Sequence, residues 1–333
     1  MTTTFNALVV NKEDEQFSVD IKKLSLDDLP EGDVLIKVQY SSVNYKDSLA
    51  TIPNGNIVRT YPFVPGIDMA GIVVSSADPR FQEGDEVIAT SYEIGVSHYG
   101  GYSEYARIPA NWIVPLPEGL SLKEAMVIGT AGFTAALSVQ RLLDNGVTPD
   151  CGKVLVTGAT GGVGSFAVSI LSTLEFTVEA STGKEEEVSF LTSLGASSIV
   201  SRHDVFDGKV RALGKQKWAA AVDPVGGEPL AALLSQIQYG GSVAVSGLTA
   251  GTKLPATVFP FILRGINLLG IDSVYCPMET RLSIWERLAT DFKPADLNRF
   301  IQEEVTLQEL PNALSIPLKG KARGRILVNC SGK

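Results

Sequence analysis

The strongest chemical signal in the sequence is a run of small residues, Thr157-Gly158-Ala159-Thr160-Gly161-Gly162-Val163-Gly164. Ala159, Gly161 and Gly164 keep the spacing of a G-x-G-x-x-G turn, and Gly162 is added. Such glycines let a chain turn tightly, bring backbone N–H groups up to a pyrophosphate and pack a helix close to a strand. A helix starting there also presents its positive end to an anion. The bland alternative is a tight turn in any α/β protein, and the flanking elements decide against it. Val154-Leu155-Val156 is an unbroken apolar run of the kind buried on both faces of a parallel sheet. Ser165 to Leu174, with Phe166, Val168, Ile170 and Leu171, allows a helix to start at once.

A second chemical signal follows the next predicted strand, in Phe176-Thr177-Val178-Glu179-Ala180-Ser181-Thr182-Gly183-Lys184. An acid at such a strand tip binds the ribose hydroxyls of NAD, whereas small hydroxyl residues and a cation suit the extra phosphate of NADP. Glu179 lies roughly 20 residues past the glycine turn, so distance alone permits NAD. Its place inside the strand counts against that reading, and Ser181 to Lys184 at the tip predict NADPH.

At 333 residues the chain exceeds one ordinary core, so about two domains are expected. Hydrophobic residues make up 44% and charged residues 20%, well outside the disordered range. A net charge of −9 without any basic run argues against a nucleic-acid surface, so an anionic cofactor needs a local cluster of cations. The start lacks a signal peptide, and no run reaches the roughly 18 apolar residues of a membrane span, so a cytoplasmic protein is expected. Three separated cysteines, Cys151, Cys276 and Cys330, fit reduced thiols better than a disulfide scaffold.

The first third of the chain reads as mainly β, with strands predicted at Ala7 to Val10, Val34 to Tyr40, Gly71 to Val74 and Glu86 to Thr90. Leu122 to Leu143 reads as helical, interrupted at residues 129 to 132. Beyond it lie six strand candidates: Val154 to Val156, Thr177 to Ala180, Ser198 to Val200, Ala219 to Asp223, Ser242 to Val245 and Asn267 to Ile271. Their alternation with helical segments predicts an α/β, doubly wound parallel sheet. Helices at Glu279 to Asp291 and Asp296 to Glu304 and a strand at Gly324 to Val328 are expected to close the chain.

The glycine turn, VDPVGG at 222–227, GSVAVSGL at 241–248 and GKARGRILV at 320–328 together resemble the medium-chain dehydrogenase/reductase superfamily, in its zinc-free branch. SSVNYKD at 41–47, FVPGIDMAG at 63–71, DPRF at 78–81, IGTAGFTA at 128–135 and FPFILRG at 259–265 resemble its quinone oxidoreductase and acrylyl-coenzyme A reductase group. The resemblance implies a GroES-like, mainly-β catalytic domain over residues 1–125 and 275–333. A Rossmann NADP-binding domain over 126–274 is inserted into it, with the active site in the cleft between them and a homodimer as the assembly. Where zinc enzymes of the superfamily carry Gly-His-Glu, this chain has Gly66-Ile67-Asp68, and the cysteine expected around Ser42 to Tyr45 is absent. Two histidines, His98 and His203, and three cysteines cannot supply both a catalytic zinc and a four-cysteine lobe, so no metal is expected. His98 is read as an ordinary loop or pocket residue, with a catalytic acid as the alternative.

Without a Lewis acid, alcohol oxidation loses its means of stabilising an alkoxide, while reduction of a C=C bond conjugated to a carbonyl remains accessible. Hydride goes to the β-carbon, charge gathers on the carbonyl oxygen, and donors in a dry site stabilise it. By resemblance Tyr45 is the donor to substrate or cofactor and Asn44 positions it; the alternative for Tyr45 is a packed aromatic with a satisfied hydroxyl. Lys46 and Asp47 read as an ion pair bracing the loop, and Tyr92, Tyr99 and Tyr102 as residues of a loop shaping the pocket. The resemblance further implies Thr160, Gly161, Gly162 and Val163 at the pyrophosphate, and Thr182, Gly183, Lys184 and Arg202 at the extra phosphate. Thr130, Thr134, Leu248, Ile262 and Ser273 are expected along the cofactor, with Arg323 or Arg325 near its nicotinamide end. The expected substrate is small: an acrylyl-coenzyme A-like enoyl thioester, or an enone or quinone. A non-catalytic dinucleotide-binding regulator is the reading from another class.

Overall fold

The structure, a computed structural model, describes residues 3–13 and 16–331. They form two compact units, the first running to Thr130 and resuming over Val274–Ala289 and from Asp296 onward, the second holding Ala131–Ser273 and Thr290–Ala295.

In the first unit, β1 (Thr4–Glu13) pairs antiparallel with β2 (Gln16–Ser25) as a separate ribbon. The main sheet collects β3 (Val34–Val43), β4 (Asp68–Ser76), β5 (Glu86–Thr90), β6 (Tyr105–Ile108) and β7 (Ile113–Pro115). A short helix, α1 (Tyr45–Ala50), leaves the end of β3, and α2 (Leu122–Asp144) follows β7. Leu8, Ile36, Val38, Met69 and Val87 are buried between these layers.

The second unit contains six strands: β8 (Val154–Val156), β9 (Val178–Thr182), β10 (Ser198–Ser201), β11 (Trp218–Asp223), β12 (Ile237–Val245) and β13 (Asn267–Gly270). They lie in the order β10-β9-β8-β11-β12-β13 with every pairing parallel. This is the doubly wound order whose ligand sites lie beyond the carboxyl ends of the strands. Helix α3 (Gly162–Thr173) starts inside the glycine turn and buries Phe166, Val168, Ile170 and Leu171, so packing holds it more than propensity does.

The chain then returns to the first unit through α4 (Met278–Ala289), β14 (Ile301–Thr306) and β15 (Arg325–Asn329). Strand β15 runs antiparallel to β3 and parallel to β14. The helix expected at Asp296 to Glu304 is instead a single turn, Leu297–Phe300, followed by β14. Residues 301–306 mix charged and branched side chains, and the available edge of β15 decides their conformation. Strands β2, β6 and β7 are not among the predicted strands; β6 and β7 are short and are drawn into strand geometry by the longer β3 and β5, while β2 pairs with β1 of equal length.

Helix α2 is broken at Gly129, whose φ of 50° and ψ of −161° are non-helical. Contrary to the expectation of no membrane-length run, α2 is long and apolar enough by composition to cross a bilayer, but 78% of its most apolar window is buried in the fold. Cys151 is exposed and Cys276 and Cys330 are buried, all three as free thiols.

Candidate active site

In the second unit the glycine turn is built by crowding. A Cβ on Gly164 would stand 2.4 Å from the Gly158 carbonyl oxygen, so only glycine lets α3 pass this close to β8. Gly158 itself has φ +54°. Asp223, buried at the end of β11, accepts hydrogen bonds from Thr157 Oγ1 (2.5 Å) and the Gly226 N–H (2.7 Å), and its burial raises its pKa. A Cβ on Gly247 would stand 2.0 Å from the Pro224 carbonyl oxygen, and one on Gly226 3.1 Å from Leu248 Cα. The loops after β11 and β12 thus pack backbone to backbone and the loop after β8 joins them through Thr157 and Asp223, bringing Thr160 to Val163 and Leu248 to one end of the sheet.

The tip of β9 joins them. The Ala159 N–H donates to the Ser181 carbonyl (3.1 Å), and Thr182 Oγ1 accepts from the Lys184 N–H (3.0 Å). The Arg202 guanidinium lies over Gly183: a Cβ there would meet Arg202 Nη2 at 2.0 Å. Burial and the neighbouring Arg202 charge lower the pKa of Lys184, although the nearby Glu187 and Glu186 act the other way. Arg202 over Gly183 and the adjacent Lys184, close enough for their charges to interact, suit a phosphate. Glu179, the alternative ribose ligand, is engaged elsewhere: it accepts from Lys153 Nζ (2.7 Å), Trp218 Nε1 (2.7 Å) and Ser198 Oγ (3.2 Å). The sheet thus offers a strand tip with a cradle and cations for a phosphorylated dinucleotide, and no free acid on β9. Ile262 stands 68% exposed on the single helical turn Phe259–Arg264, and Thr134 donates to Ser273 Oγ at 2.8 Å.

In the first unit Tyr45 is the first residue of α1, 45% exposed, and its hydroxyl makes no hydrogen bond among the described residues. It is therefore not a packed aromatic with a satisfied hydroxyl. Asn44 behaves differently. Its Nδ2 donates to Asp68 Oδ2 (2.8 Å) and Asp47 Oδ2 (3.2 Å), and its Oδ1 accepts from Arg325 Nη1 (3.1 Å). With both ends of its carboxamide engaged, Asn44 is held in place as the N-cap of α1.

Asp68, Arg325 and their neighbours form a buried charge network that the sequence did not single out. Asp68 accepts from Ser42 Oγ (2.7 Å), Thr130 Oγ1 (2.5 Å) and the Thr130 N–H (3.0 Å). Arg325 donates to Ser42 Oγ (2.6 Å) and the Val127 carbonyl (3.1 Å), and its Nη2 stands 3.5 Å from Asp68. Both charged side chains are almost wholly buried, so removing one partner would strand the other at a cost of about 3–5 kcal/mol. Gly129 closes the network, since a Cβ there would meet Arg325 Nη2 and Asp68 Oδ2 at 2.6 Å each. The expected role of Thr130 along the cofactor sits beside this one, and Arg323 offers its backbone N–H to Gln302 (2.7 Å). The readable signal was charge inside apolar strand patterns: Asp68 before Met69-Ala70 and Arg325 before Ile326-Leu327-Val328.

The expected Lys46–Asp47 pair does not form. Asp47 is buried and accepts from the Asn44 N–H (2.9 Å) and the Ile67 N–H (2.9 Å). Burial, with the Asp68 carboxylate nearby, raises its pKa to about 7. Tyr102 is fully buried and donates to the Ser42 carbonyl (3.2 Å), and its pKa is pushed well up by burial and the neighbouring acids. Tyr92 stacks on Trp112 and Tyr99 donates to the Pro62 carbonyl. His98 Nε2 lies 2.7 Å from the Arg107 carbonyl oxygen and burial lowers its pKa, so the neutral ring donates there as a structural group. Lys46 instead lines a cavity of about 420 Å³ with Arg59, Glu93 and Phe63. Among the described residues no three His, Cys, Asp or Glu side chains gather to hold a metal ion.

Residues 30–118 match the alcohol dehydrogenase GroES-like domain, and residues 162–289 match the zinc-binding dehydrogenase domain. The Bacillus subtilis protein YhfP, whose name classes it with quinone oxidoreductases, is 61% identical over 98% of this chain and 99% of its own. Its crystal structure, with NAD bound, superposes with a TM-score of 0.97 over 99% of this chain and all 100% of that one. The acrylyl-CoA reductase AcuI of Ruegeria pomeroyi is 51% identical over 98% of this chain and 99% of its own. A Salmonella enterica oxidoreductase solved in complex with NADP is 45% identical, with a TM-score of 0.95 over 98% of this chain and 99% of that one.

Proposed function

The chain belongs to the medium-chain dehydrogenase/reductase family of oxidoreductases, and from that premise we propose that it uses NADPH to reduce the activated C=C bond of an acrylyl-coenzyme A-like thioester. The observation that carries the cofactor choice is the pairing of Lys184 and Arg202 around Gly183, with Glu179 already committed to Lys153, Trp218 and Ser198. That YhfP was crystallised with NAD makes this pair the feature to test. The 51% identity to an acrylyl-CoA reductase supports the thioester, and the 61% identity to YhfP, whose name classes it with quinone oxidoreductases, keeps a quinone as the second reading.

In this reading the second unit is the cofactor-binding one. Thr160 to Val163 hold the pyrophosphate, and Thr182, Gly183, Lys184 and Arg202 hold the extra phosphate. Leu248 and Ile262 give apolar contact. Bound NADPH supplies a hydride for the substrate β-carbon. The first unit is the catalytic one. The free hydroxyl of Tyr45 donates a hydrogen bond to the thioester carbonyl oxygen as negative charge gathers there, an interaction stronger in the transition state than in the ground state. Asn44, Asp68 and Arg325 keep the first turn of α1 in place, so Tyr45 need not be reorganised during the reaction. No residue is asked to bind zinc.

Steady-state NADPH oxidation with acrylyl-CoA, quinones and enones tests the reading. Turnover with acrylyl-CoA and little with quinones is expected. Tight NADPH binding without turnover of any of the three would instead make the chain a dinucleotide-binding regulator.

A further inference from the structure

The cavity lined by Lys46 and Arg59 is not used by the reaction as described. Its volume of about 420 Å³ is within the ordinary range of small-molecule sites, roughly 300–1,000 Å³. An acrylyl group is far too small to need it. Its wall combines the cations Lys46 and Arg59 with apolar Ile57, Phe63 and Val96. The acid on the wall, Glu93, is engaged by Ser97 Oγ and by the Tyr275 hydroxyl (2.5 Å), which with Lys46 nearby lower its pKa. Arg59 makes no ion pair among the described residues. On a chain of net charge −9 an exposed arginine and a neighbouring lysine facing one cavity form a local exception to a field that repels polyanions. Lys46, which lines the cavity, directly follows the proposed donor Tyr45 in the first turn of α1.

We propose that this cavity receives the phosphorylated carrier arm of the acyl thioester, with Lys46 and Arg59 binding its phosphates and the apolar wall holding the pantetheine chain. The proposal rests on the reading of the chain as an acrylyl thioester reductase, and it gives that reading a physical basis for preferring a coenzyme A ester to a quinone, which has no phosphate. The cofactor is the other source of phosphate, so the test separates the two.

Calorimetric titration with free coenzyme A and with NADPH would compare the wild type with the Lys46→Ala/Arg59→Ala double variant. Loss of two charge-assisted contacts should raise the Kd for coenzyme A by at least about tenfold and that for NADPH by less than about twofold. In kinetics, the ratio of kcat/KM for acrylyl-CoA to that for acrylyl-N-acetylcysteamine, which lacks the phosphates, should fall by about tenfold or more. Coenzyme A that fails to bind the wild type, that binds both proteins equally, or that loses affinity in step with NADPH would overturn the site while leaving thioester reduction intact. Coenzyme A bound through these cations by a protein that reduces no acrylyl thioester would uphold the site and overturn the reaction.

Discussion

At the scale of single residues, function divides between charges held for a ligand and charges consumed by the fold. In the proposed reading, Lys184 and Arg202 belong to the first kind. Replacing both with alanine should weaken NADPH binding by about tenfold or more while changing NADH little, because only NADPH presents the extra phosphate. Fluorescence titration with both nucleotides checks this, and equal losses would refute the phosphate site. Asp47 is of the second kind. Its folded pKa of about 7 lies above the ordinary 3.8, so the native state binds a proton more tightly than the unfolded state. Stability from this group is fully present below about pH 4 and is lost as pH rises towards about 7. In thermal melts across that range, the stability of Asp47→Asn relative to the wild type should therefore rise with pH; a constant difference would show that Asp47 is ionised throughout.

At the scale of elements, the break in α2 makes the charge network possible. Gly129 adopts φ 50° where the chain passes Asp68, Ser42 and Arg325, with no room for a Cβ. Gly129→Ala should cost about 1–3 kcal/mol through backbone strain alone, more if Arg325 is displaced, and should lower kcat more than it raises the Kd for NADPH. Urea denaturation with parallel kinetics measures both, and an unaltered midpoint would show that the network tolerates a side chain. The interruption at residues 129 to 132 was legible in the sequence. Its partner Arg325 was expected by resemblance near the nicotinamide end of the cofactor, and its burial beside Asp68 was not legible, because that burial exists only once β15 is paired with β3. The strand at Ile301–Thr306 was hidden for a similar reason: its conformation is decided by the edge it joins.

At the scale of the whole molecule, one unit carries a parallel sheet with cations at a strand tip, and the other carries a mostly antiparallel sheet with an exposed tyrosine and a buried charge network. The family match to a zinc-binding dehydrogenase domain raises a global question of metal dependence. The available donors do not gather in threes among the described residues, so dialysis against a chelator should leave turnover unchanged. Activity lost on dialysis and restored by added zinc would contradict this.

The sequence by itself determined what local patterning encodes: the βα turn at Val154 to Gly164, the alternation that makes a doubly wound sheet, the small hydroxyl-bearing strand tip at Ser181 to Lys184 and the poverty of zinc ligands. Each is a matter of neighbours along the chain, where spacing and residue type suffice. Only the tertiary structure decided that Arg202 lies over Gly183, that Glu179 is spoken for, that Asn44 is bound at both ends by Asp68 and Arg325, and that Lys46 faces a cavity rather than Asp47. Those outcomes join residues up to hundreds of positions apart, and burial, which sets whether a charge is paired or exposed, exists only once the strands have found their partners.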